Sequence, residues 1–130
     1  MAIASYLILS VALFFVMIVV QALANIKHNG LGPLAGARDE LKAPTFFLER
    51  AKRSNQNMIE AMVLFTPLAL VAIVKGATGP NVVLGAALFF WGRAVFAPLY
   101  WFGVPWLRTV AWAVSIFGII LIFFNLLPLI

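Results

Sequence analysis

The chain predicts an all-α fold, an integral membrane four-helix up-down bundle, and three observations carry that prediction. Of its 130 residues 65% are hydrophobic and only 10% are charged, and the mean hydropathy of +1.09 lies well outside the range of soluble domains. Four long apolar stretches follow one another, Ala2 to Ala24, Met58 to Val74, Val82 to Phe102 and Val110 to Ile130, each near the roughly 20 residues that cross a bilayer. The connections after the second and third stretches are short and hold Gly and Pro, which makes sequential helices antiparallel neighbours. Residues 1–130 read as a single transmembrane domain.

The first helix is expected over about 2–25. Ala22-Leu23-Ala24 has the small residues of a secretory cleavage site, yet no Lys or Arg precedes Lys27. The apolar run is also longer than the usual h-region, so the helix reads as retained. The loop at about 26–44 carries turn signals at Asn29-Gly30 and Gly32-Pro33, then the charged patch Arg38-Asp39-Glu40. Pro44-Thr45 starts the second helix, about 45–75, with Phe46, Phe47 and Leu48 at the membrane interface. Gly76, Gly79 and Pro80 lead into the third helix at about 81–102, and Pro105 takes the first position of the fourth, about 105–129. Pro67 and Pro98 lie inside helices and predict kinks. Gly85 with Ala86 and Ala87 reads as a close-packing face at a subunit contact, and Asn125 as an interhelical hydrogen bond.

Charge sets the expected orientation. Lys27, Arg38 and Lys42 lie in the first connection, with Arg50, Lys52 and Arg53 just beyond, whereas the second has only Lys75 and the third only Arg108. The positive-inside rule places the first and third connections in the cytoplasm and both termini outside, as in a bacterial inner membrane. The net charge of +5 follows from this asymmetry. It suits anionic lipid; a nucleic-acid partner would need a basic soluble face. His28 stands alone in a turn and the chain has no cysteine, so no metal site is expected.

The segment ERAKRSNQNMIEAMVLF opens the second helix with an unusual load of polar groups. At about 100° per residue, Glu49, Arg50, Arg53, Asn57 and Glu60 share one stripe about 100° wide, while Lys52 and Asn55 fall on the opposite side. The stripe runs roughly 15 Å along the axis, so its inner end reaches hydrocarbon. A carboxylate there would cost about 3 kcal/mol if it faced lipid, so Glu60 must face protein or a wet cavity. Arg93 lies at matching depth in the third helix, which predicts that Glu60 and Arg93 are neighbours across a crevice open to the cytoplasm. Tyr100 shares the face of Arg93, and Arg108 closes the set from the fourth helix. A buried ion pair that fixes packing would explain Glu60 and Arg93. Arg50, Arg53, Arg93 and Arg108 against Glu49 and Glu60 leave a cationic excess, however, which favours an anionic ligand gripped by guanidinium forks.

The pattern Glu49-Arg50-x-x-Arg53-x-x-x-Asn57-x-x-Glu60, with Arg93 and Tyr100 in the third helix and Pro105-x-x-Arg108-Thr109 opening the fourth, resembles the MAPEG family, the membrane-associated proteins of eicosanoid and glutathione metabolism. The chain looks like a bacterial-type member similar to the microsomal glutathione transferases. The resemblance implies a homotrimer with glutathione as co-substrate, lying between neighbouring subunits near the cytoplasmic side. Its binding residues would be Arg50, Arg53, Gln56, Asn57, Glu60, Arg93, Tyr100 and Arg108. Arg53, Asn57 and Glu60 would come from one subunit, Glu60 taking the amino group, while Arg93 and Tyr100 line the other wall. The catalytic residues would be Arg108, beside the sulfur where a cation favours thiolate, and Thr109, where some members have an assisting serine. An apolar co-substrate would enter from the bilayer.

The sequence departs from the family at several places. Asn55 and Gln56 stand where the prostaglandin synthase branch has basic residues, and Trp112 where eicosanoid members often have tyrosine. Asn25 and Lys27 only approximate the basic residue expected at the end of the first helix. These departures speak against eicosanoid synthesis. The resulting expectation is a glutathione-dependent membrane transferase or peroxidase acting on hydrophobic electrophiles or lipid hydroperoxides. Its rival is a non-catalytic lipid-binding or scaffold protein of the same fold, since the family includes a lipoxygenase-activating protein that binds lipid without turnover. A small transporter is a third reading, against which no paired halves are visible.

Overall fold

The computed structural model describes residues 1–130. The first helix, α1 (Ile3–Asn29), runs about one turn beyond the expected end, because nothing between Ile26 and Asn29 breaks it before Gly30, which turns the chain at φ 82°. Its last turn ties down the loop that follows. Asn29 Oδ1 accepts from the Lys42 N–H at 2.7 Å, and His28 Nε2 lies 2.6 Å from the Ala43 carbonyl oxygen. The same loop contains a short helix, α2 (Leu31–Ala35).

The second long helix, α3, spans Phe46–Val74 and is capped as Thr45 predicts, its Oγ1 accepting from the Leu48 N–H at 3.1 Å. The helix α4 covers Pro80–Trp101 and α5 covers Pro105–Leu126, each with proline in its first turn. A 3₁₀ turn, Leu127–Leu129, follows α5. All four long helices have the length and apolarity to cross a membrane.

Both α3 and α4 touch all the other long helices, whereas α1 and α5 do not meet. Most of the buried apolar core lies between these helices in the half away from the long loop, where the rings of Phe65 and Phe89 stack with centroids 4.0 Å apart. A smaller cluster of Met17, Met58 and Ala97 sits nearer the loop. The tightest seam joins α4 to α5 through small residues. A Cβ on Gly85 would lie 2.7 Å from the Gly118 carbonyl oxygen, and one on Gly92 would lie 2.9 Å from the Ser115 backbone nitrogen. Gly85 thus serves packing within the chain, where the sequence suggested a subunit contact. Asn125 also differs from expectation. Its amide donates to the Leu121 carbonyl one turn back in α5, at 2.8 Å, and reaches no other helix.

Candidate functional site

The polar stripe on α3 divides into separate parts. Arg53 and Glu49 form an exposed ion pair at 3.9 Å, with side chains 61% and 47% exposed. Gln56 and Glu60 are exposed as well, and Gln56 Nε2 donates to Glu60 Oε1 at 3.4 Å. Asn57, at the inner edge of the stripe, turns towards α4. Its Oδ1 accepts from Arg93 Nη1 at 2.5 Å.

Arg93 is the largest fully buried side chain in the protein, 1% exposed. Its guanidinium lies 5.0 Å from the Phe96 ring centroid and 6.0 Å from that of Phe89, within range of cation–π attraction. Asn57 satisfies only part of it, since Nε and Nη2 are buried without a partner. Glu60 and Arg93 form no ion pair, so the pairing that would have explained them as packing alone is absent: Arg53–Glu49 is the single salt bridge. Glu60 is still near enough to exert a Coulombic pull on Arg93. Asn57 is half-buried and faces α4 whereas Glu60 is exposed, so it is Asn57 that takes the guanidinium. Asn57 and Arg93 are thus joined within a single chain.

A column of aromatic contacts continues from Arg93. Phe96 meets Tyr100 edge-on at 5.4 Å, and the Arg108 guanidinium lies 4.6 Å from the Tyr100 ring centroid. Positions 93, 96 and 100 recur at helical spacing on α4, and α5 brings Arg108 over the last ring directly after the Gly103 turn. Two guanidiniums are thereby held by rings that attract cations and compete little for their hydrogen bonds. Thr109 is exposed, and its hydroxyl donates to the Pro105 carbonyl at 3.1 Å. Arg50 has a different setting. Its guanidinium packs on the α4–α5 turn, where a Cβ on Gly103 would lie 2.9 Å from Arg50 Cζ.

Sequence reasoning missed the polar link on the opposite side of α3. Asn55, which is buried, donates to Gln21 Oε1 at 2.5 Å and to the Met17 carbonyl at 3.3 Å. The signal available was that Asn55 projects away from the stripe and Gln21 is the one amide within the apolar run of α1. The larger cavities of the chain lie elsewhere, between α1 and α2 and beside the start of α3. Arg53 and Glu60 give α3 an exposed polar face near its start, Asn57, Tyr100 and Arg108 are half-buried, Arg93 is buried behind Asn57, and none of the six lines those cavities.

Membrane-length helices with cationic and amide side chains gathered at one end define an integral membrane protein with a polar site among its helices. The chain belongs to the MAPEG family, whose model matches residues 3–127. That membership fits a membrane protein of glutathione or eicosanoid metabolism. No curated protein and no solved structure matches the chain.

Proposed function

We propose that the protein is a glutathione-dependent membrane transferase or peroxidase acting on hydrophobic electrophiles or lipid hydroperoxides, working as a homotrimer whose site opens to the cytoplasm. The observation that carries this reading is Arg93, a buried cation with two unpartnered nitrogens and no ion pair. A buried charge without an anion is strongly unfavourable, and a carboxylated tripeptide on the exposed face in front of Asn57 and Glu60 would place negative charge near it. Glu60 suits the amino group of such a ligand, and the exposed Arg53 suits a carboxylate. Arg108, stacked on Tyr100, is the cation assigned to the sulfur. It favours the thiolate, which bonds to an electrophilic carbon as the leaving group departs. With a hydroperoxide the thiolate attacks an oxygen so that the O–O bond breaks, the alcohol leaves and a second glutathione converts the sulfenic acid to disulfide and water.

Thermal melting of the detergent-solubilised protein tests the binding step. Glutathione at about one hundred times its Kd should add about 2.7 kcal/mol of stability, and Glu60→Gln should abolish the shift. No shift with glutathione or its S-alkyl derivatives would defeat the reading. Arg108→Ala should keep the shift while turnover of a hydrophobic electrophile falls on the order of a hundredfold. Unchanged turnover would remove Arg108 from the chemistry. Binding without any turnover by the unaltered protein would favour the lipid-binding alternative.

A further inference from the structure

We propose that the cavity between the end of α1 and the start of α3 is a binding site for an anionic phospholipid, separate from the polar face described above. Its volume is about 660 Å³, and its lining changes character with depth. Lys27, His28 and Thr45 lie at its upper rim, and Val20, Leu23 and Phe47 form its apolar wall. Val20 precedes Lys27 by about two turns, so the cavity extends roughly 10 Å down the helix axis, from headgroup level into the hydrocarbon. Phe46, which is 78% exposed beside it, marks the interface.

The rim has free donors. Lys27 Nζ has no carboxylate partner, because the one salt bridge is Arg53–Glu49. Thr45 Oγ1 accepts from the Leu48 N–H, which leaves its own O–H to donate. His28 is fixed against the wall by its bond to the Ala43 carbonyl. A phosphate meets these groups, and the attached acyl chain covers Val20, Leu23 and Phe47. A soluble phosphate would occupy the rim and leave the apolar wall bare.

Delipidated full-length protein, titrated in neutral detergent and followed by thermal melting, tests the proposal. Phosphatidylglycerol should bind and raise the melting temperature more than phosphatidylcholine with the same acyl chains, and glycerol 3-phosphate should do nothing. Lys27→Gln should weaken phosphatidylglycerol roughly fivefold. Lys42→Gln, outside the cavity, should stay within about twofold. Leu23→Trp, which fills the apolar part, should also lose the lipid effect. Equal shifts from the two lipids, an undiminished response in Lys27→Gln, or an equal loss in Lys42→Gln would overturn the site. A full response to glycerol 3-phosphate would make the ligand a soluble anion. Crosslinking between copies through Leu23→Cys would show a second copy in the cavity, and the proposal would fall.

Discussion

Asn57 and Arg93 show how much one buried hydrogen bond carries. The guanidinium has a single acceptor, Asn57 Oδ1, and otherwise rests on the rings of Phe89 and Phe96. Asn57→Ala therefore leaves a buried cation with no acceptor. The expected loss is about 1.5–3 kcal/mol, the range for bonds to charged groups, well above the roughly 0.6 kcal/mol average measured for hydrogen bonds between membrane helices. Arg93→Met should be milder, because replacing a buried charge by an apolar side chain of similar length is often neutral. Unfolding in mixed micelles gives both values, and the opposite order would mean that Asn57 is not what holds the charge.

The α4–α5 seam carries the corresponding argument for the elements. Gly92 meets backbone atoms of α5, which cannot rotate aside, so Gly92→Ala forces the helices apart and should cost about 1–3 kcal/mol. Gly79 has an extended backbone ahead of Pro80 and open space around it, so Gly79→Ala should change stability by no more than about 0.5–1 kcal/mol. Comparable melting temperatures for the two variants would refute the seam as a close-packed contact. The helices themselves were legible in the sequence, because apolar length, Thr45 and the prolines at 80 and 105 are local signals. Partner choice was less legible. The angular projection put Asn57 and Glu60 on one stripe, but which of them meets Arg93 depends on how far α4 sits from α3. For Gly85 the small-residue pattern showed a close approach without showing which helix would supply it. Asn125 reached its own helix because the carbonyl four residues back is always within range.

At the scale of the whole molecule, the single chain leaves a charge that a membrane does not tolerate. Glu60 is exposed, and it lies roughly 15 Å along α3 from Glu49, below the interface. Lipid contact there would cost about 3 kcal/mol, so another surface must cover it, and the proposed homotrimer supplies one from a neighbouring copy. Native mass spectrometry in mild detergent should give a particle of three chains, each of 14.2 kDa. A detergent that separates the copies should also abolish stabilisation by glutathione, since one chain leaves Arg53 and Glu60 exposed and Arg108 only half-buried. Glu60→Leu should not weaken a separated chain, yet it should remove ligand binding from the assembled one. A dispersed single chain that binds glutathione as tightly as the assembly would mean that the site is complete without a neighbour, and that water, not a second copy, covers Glu60.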